Sequence, residues 1–237
     1  MDKIAYITGG SKGIGFGIAE SILREGGKVA ITSRSLAAAE KAAKELIAKT
    51  NNENVLPLEA DVRSLSSQEA AIQATIEKFG RIDVSVANAG IGHFASIEDL
   101  TEEQWKDTID TNLTGIFNTI KASLNGLKDT KGYFITIGSL AGTNFFAGGS
   151  AYNASKFGVA GFTQAAMLDI RKYGIRATTI MPGSVATYFN DHTPSEQDAW
   201  KIQIEDIGEM VVGLLKLNAR TLPSKIEVRP TMPPSAS

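Results

Sequence analysis

The chain has 237 residues, 43% of them hydrophobic and 21% charged, which suits one folded α/β domain with an ordinary polar surface. Its 24 basic and 26 acidic side chains leave a net charge of −2, so no broad field draws it to nucleic acid or to an anionic membrane. Cysteine is absent, which excludes disulfides, thiolate catalysis and cysteine-held metals.

The first residues, MDKIAYIT, enter a strand near 4–8 with no room for a signal peptide, and GEMVVGLLKL is far too short to span a bilayer; a cytoplasmic, non-membrane protein is expected. TGGSKGIG (8–15) follows that strand and opens a helix near 13–26. At such a turn the free N–H groups and the dipole of the helix attract phosphate. Gly9 allows the tight turn, Gly13 the approach of a pyrophosphate, and Gly15 the packing of helix on sheet, while Ser11, Lys12 and Ile14 complete the loop. The second strand, 28–33, ends VAITSRS. A carboxylate at its end would hold a ribose 2′-hydroxyl. Ser33 and Arg34 stand there instead, and with Lys12 they suit a 2′-phosphate. NADP(H) is therefore the expected cofactor, with NAD(H) as the alternative.

A helix near 36–49 leads to a strand at 55–60 that ends in Asp61-Val62, and a helix at 66–79 leads to a strand at 82–88 that runs into Asn88-Ala89-Gly90. One long helix is expected over 101–128, carrying Asn112, and then a strand over 132–138 followed by Ser139. On the next helix, 151–173, Tyr152 and Lys156 sit at i and i+4, so phenol and ammonium share a face. A strand at 175–181 runs into PGSVAT, with Pro182, Gly183, Val185 and Thr187. The polar stretch 190–200 has no period and reads as a surface excursion, part of a lid near 188–200; a helix at 203–217 and a strand at 225–229 close the pattern. Apolar strands joined by helices predict a doubly wound parallel sheet of the Rossmann type. It forms a single domain over 1–237, with a poorly ordered Pro- and Ser-rich tail after about 230. Phe94, Phe145 and Phe146 fall in loops at the sheet's carboxyl edge, where they could line an apolar pocket or simply pack. His93 and His192 read as incidental loop residues, and no metal site is expected. GSLAG is not a hydrolase elbow, because Ile137 stands where that motif needs glycine.

Together these motifs resemble the short-chain dehydrogenase/reductase family over residues 3 to about 187. The resemblance implies that Asp61 contacts adenine, that Asn88 braces the sheet beside the cofactor, and that PGSVAT touches the nicotinamide carboxamide. It also implies a catalytic set of Asn112, Ser139, Tyr152 and Lys156. Tyr152 would be the acid in carbonyl reduction and the base in alcohol oxidation, and Ser139 would hold the substrate oxygen. Lys156 would bind the ribose and favour the phenolate, and Asn112 would anchor a proton-carrying water. Ionising a phenol at pH 7 costs about 4 kcal/mol, which an ammonium ~4 Å away at an effective dielectric of ~20 would nearly offset. The expected partner is a small carbonyl or alcohol substrate. A homotetramer or homodimer is expected from helices that are apolar on more than one face. The ending KIEVRPTMPPSAS lacks the glycine-and-aspartate segment of many 3-oxoacyl reductases, which favours small alcohols, hydroxy acids or other carbonyls. The alternative is a catalytically silent nucleotide-binding protein of the same fold, against which the intact Asn-Ser-Tyr-Lys set argues.

Overall fold

The computed structural model describes residues 1–233; the end of the tail expected to be poorly ordered lies outside the described residues. Seven strands form one parallel sheet in the order β3-β2-β1-β4-β5-β6-β7. They are β1 (Ile4–Ile7), β2 (Lys28–Ser33), β3 (Val55–Glu59), β4 (Val84–Ala87), β5 (Tyr133–Ile137), β6 (Arg176–Pro182) and β7 (Lys225–Val228). Side chains alternate across each strand, and in the central strands β1, β4 and β5 both faces are covered, whereas edge strand β7 leaves Lys225 and Glu227 exposed. On one face Ala5, Ile7, Val29, Ile31, Ile135 and Ile137 pack under α1 (Gly13–Arg24), α2 (Leu36–Thr50) and α7 (Ile204–Lys216). On the other, Tyr6, Ala30 and Phe134 pack under α3 (Leu65–Phe79), α5 (Gly115–Thr130) and α6 (Ser150–Ile170). α1 and α7 lie so close that a Cβ on Gly17 or Gly208 would overlap the facing helix.

The helix expected over 101–128 is two helices. α4 (Glu102–Ile109), started by a Thr101–Gln104 capping box, passes through a π-helical turn at Asp110–Thr114 into α5. The extra residue of a π turn re-aims side chains, and Asn112 sits in it. The stretch 190–200 also differs from a bare excursion. It contains short 3₁₀ turns at Phe189–Asp191 and Glu196–Asp198, and Asp198 is buried. Among the described residues no helix is long and apolar enough to cross a membrane.

Candidate active site

From β1 the chain builds outward to β3 on one side and from β4 to β7 on the other. The crevice at this reversal lies outside the strands' carboxyl ends. A cleft of about 600 Å³ opens there, and every residue expected at the site lines it except Gly15 and Asn112, which stand behind the wall.

At one end lies the glycine turn. Gly9 and Gly13 have φ of 65° and 61°, the left-handed region that side chains disfavour. At Gly15, on α1, a Cβ would lie 2.5 Å from Asn88 Nδ2 and 2.6 Å from the Gly9 carbonyl oxygen, in the turns just past β4 and β1. That space lets Asn88 Nδ2 donate to the carbonyls of Thr8 (2.9 Å) and Gly9 (3.1 Å). Thr8, which did not stand out as a site residue, returns the contact by accepting at Oγ1 from the amides of Asn88 (3.0 Å) and Ala89 (3.1 Å). The turn after β1 is thus bolted to the turn after β4. Side chains cap α2, α3 and α4 at Ser35, Ser64 and Thr101, whereas no side chain caps α1. Its first-turn amides are left for a ligand, and Gly13 and Ile14 line the cleft. This cradle fits a pyrophosphate. Lys12, Ser33 and Arg34 line the same end.

Asp61 lines the cleft with its carboxylate already engaged by the Arg63 guanidinium at 2.7 Å, and Arg63 also reaches Asp107 at 3.1 Å. The Arg63 hydrogen bond holds the Asp61 carboxyl below its ordinary value. His93 joins this network through Asp107, at 3.3 Å.

At the other end stand Ser139, just past β5, and Tyr152 and Lys156 on α6. Lys156 is only 5% exposed; it donates to the Ile137 carbonyl at 3.1 Å, and its Nζ lies 5.6 Å from the centre of the Tyr152 ring. Burial lowers the ammonium's pKa to about 8. Burial also raises that of the Tyr152 phenol, and hydrogen bonding by Ser139 pulls the other way. Burial thus sets the direction of both shifts, and the pairing expected between the two groups contributes to neither. The Ser139 hydroxyl accepts from the Ala141 amide at 3.1 Å, so it caps a 3₁₀ turn while facing the cleft. Asn112 is fully buried: Oδ1 accepts from the Ile91 amide (2.8 Å), and Nδ2 donates to the Ile91 carbonyl (2.9 Å) and to Ser155 Oγ (3.0 Å).

The segment after β6 closes this end. Ile202 pairs with the PGSVAT strand end through two main-chain bonds, Ala186 N to Ile202 O (2.9 Å) and Ile202 N to Ser184 O (3.1 Å). Asp198 accepts from His192 Nε2 and from Lys201 Nζ, each at 2.6 Å, and from the Ser195 amide at 3.0 Å. His192 and Lys201 line the cleft, so His192 is no incidental loop residue. Sequence periodicity carries no trace of this knot, because its partners, all within six positions of Asp198, meet through irregular turns. Phe94 packs against both Tyr152 (5.3 Å between ring centres) and Phe146 (5.9 Å), whereas Phe145 is 85% exposed.

Comparison with known proteins agrees with this geometry. Residues 3–198 match the short chain dehydrogenase family. The chain is 36% identical over 190 residues to a trans-4-hydroxycyclohexanecarboxylate dehydrogenase of Sinomonas cyclohexanicum, covering 78% of this chain and 73% of that one. It is also 36% identical over 196 residues to a 3-oxoacyl-[acyl-carrier-protein] reductase of Vibrio cholerae, covering 82% and 78%. An alcohol dehydrogenase from the archaeon Thermococcus sibiricus, solved with 5-hydroxy-NADP, superposes over the whole of both chains with a TM-score of 0.91 and 32% identity. The chain belongs to the short-chain dehydrogenase/reductase family and is an NAD(P)(H)-dependent oxidoreductase acting on alcohol and carbonyl groups.

Proposed function

We propose that the protein is an NADP(H)-preferring reductase of ketones or aldehydes, working in reverse on secondary alcohols. The observation that carries this is the meeting, within one cleft, of a half-buried Tyr152 and a buried Lys156 at one end with Lys12, Ser33 and Arg34 at the other. Arg34 and Lys12 would pair a 2′-phosphate, and no carboxylate stands at the end of β2 to repel it. The uncapped start of α1 would take the pyrophosphate, and the main chain from Asn88 to Gly90 and from Pro182 to Thr187 would flank the nicotinamide ribose and carboxamide. Val62 and Asp61 would meet the adenine. A bound nicotinamide supplies or accepts the hydride.

The protein's own residues handle the proton and the oxygen. A phenol whose pKa burial raises stays protonated at neutral pH, which suits donation to a carbonyl oxygen. Ser139 would steady the charge growing on that oxygen. Lys156 would hold the ribose and, as an ammonium at neutral pH, lower the phenol's cost of giving up its proton. Asn112, held by Ile91 and Ser155, keeps its place behind Lys156. Residues 188–200 would act as a lid that gains order when cofactor and substrate bind. Exposed Trp105, Phe117, Phe157 and Leu168 on α4, α5 and α6 support a homodimer or homotetramer built on those helices.

The test compares the parent with Tyr152→Phe on a panel of carbonyls and alcohols with each coenzyme. Turnover should fall 10²–10⁴-fold while NADPH affinity is kept. Near-normal turnover by the variant rejects the assignment. Tight NADPH binding without turnover of any substrate by the parent establishes the silent-binder reading instead.

A further inference from the structure

The lid carries an aromatic ring into the reacting end of the cleft. Phe189 lies 5.6 Å from Tyr152 and 6.2 Å from Phe94, ring centre to ring centre, and the three rings tilt against one another. Two features hold that pose. A Cβ at Gly92 would lie 2.7 Å from Phe189 Cζ and 2.8 Å from Phe94 Cε2, so the bare Gly92 backbone makes room for both rings. The turn that follows Phe189 uses consecutive left-handed residues, Asn190 (φ 56°) and Asp191 (φ 58°), a conformation that Asn and Asp adopt more readily than other side chains. Phe189 thus stands beside the Tyr152 ring as a wall of the cleft, with Ile91 and Tyr188 as further walls.

Charge in the same place is already satisfied. His192 and the ammonium of Lys201 line the cleft here, and Asp198 accepts from both at 2.6 Å. The other lining cations are Lys12 and Arg34, at the glycine turn and the end of β2, and Lys156 behind the phenol. An anionic substrate would find no free partner beside Phe189.

Building on the reductase reading above, we infer that the substrate carries a neutral ring, aryl or alicyclic, next to its carbonyl, and that Phe189 is the specificity-determining wall that closes on that ring. An aromatic face prefers another ring, edge-on or offset, over an open chain of the same carbon number, because the open chain offers less flat surface and loses more freedom when held. In the reaction, a hydride, one proton with two electrons, passes from NADPH to the carbonyl carbon, a proton from Tyr152 goes to its oxygen, and solvent returns that proton.

The test measures kcat/KM with NADPH for acetophenone against 2-octanone, which have equal carbon number, and for 4-oxocyclohexanecarboxylate against its methyl ester. Calorimetric titration of the non-reacting enzyme–NADP⁺ complex with the first two ketones reads binding without turnover. The ring ketone should be favoured about tenfold in both measurements, and the ester should be favoured over the acid. Phe189→Leu keeps apolar bulk and should reduce the ring preference to about twofold. Gly92→Ala, which displaces the same ring by another route, should do the same. A parent that favours the open chain or treats both alike, a preference for the carboxylate, or a ring preference unchanged in both variants overturns the inference while leaving the reductase reading standing. NADPH binding with no turnover of any ketone overturns the reductase reading itself, and this inference with it.

Discussion

Replacing Lys156 by methionine should stabilise the ligand-free protein at neutral pH while abolishing function. The lysine's pKa falls from an ordinary 10.5 to about 8 because the ammonium is shut away from water. At ~1.4 kcal/mol per unit, holding that charge in the folded protein at pH 7 costs about 3 kcal/mol. Methionine has similar length and no charge to desolvate, but it forfeits the hydrogen bond to the Ile137 carbonyl, worth about 1 kcal/mol. The variant should thus be about 2 kcal/mol more stable at pH 7. Since the folded pKa lies below the unfolded one, the unfolded chain binds more protons between pH 8 and 10.5, and the parent gains stability as pH rises through that window. By pH 9.5 about 2 kcal/mol of the penalty has gone, and the two proteins should differ by less than ~1 kcal/mol. Urea unfolding of both proteins at pH 7 and at pH 9.5 reads the difference directly. A gap that stays constant between the two pH values, or a methionine variant less stable than the parent at pH 7, would refute the reasoning.

Further expectations bear on other parts of the molecule. Ser33→Asp with Arg34→Asp should turn an NADPH preference of at least ~10-fold into one for NADH, since each charged contact to a phosphate is worth about 1.5–3 kcal/mol; equal affinity of the parent for both coenzymes in a binding titration removes the basis for it. Asp198→Asn should loosen residues 188–200, read as faster amide exchange there, because the buried carboxylate holds His192, Lys201 and the Ser195 amide together. The Lys201 and His192 contacts keep that carboxyl far below its ordinary 3.8, so its support is present above that pH and is lost as pH falls well below it; exchange in this segment should gain acid sensitivity in the parent and not in the variant. Gly208→Ala should cost about 1–3 kcal/mol in urea unfolding, because its methyl would meet Ser21 and the Gly17 carbonyl across the α1–α7 contact.

Much of the architecture was legible in the amino-acid order because it rests on near neighbours. Runs such as IAYI and YFITI carry almost no polar side chain (Thr136 is the exception), as a strand covered on both faces requires, and β2 spans 28–33 as its pattern predicts. The glycine turn, and Tyr152 and Lys156 one helical turn apart, are equally local, and so was the gathering of most expected residues into one cleft once the strand order was known. What the chain order concealed depends mostly on segments far apart in sequence. The break of 101–128 at Asn112 follows from that side chain's hold on Ile91, twenty-one positions away, and helical periodicity does not register it. Gly15 leaves room for Asn88 from the turn after β4, and the Arg63 that engages Asp61 also reaches across to Asp107. The Phe189 ring beside Tyr152 joins segments thirty-seven positions apart, and the knot at Asp198, though its partners are near in sequence, lies in irregular turns that carry no period. Above all, the charges of Tyr152 and Lys156 were decided by burial, with the phenol pushed up and the ammonium down. Residue types and spacing determine which groups can meet, but desolvation depends on everything packed around them, and only the tertiary structure supplies that.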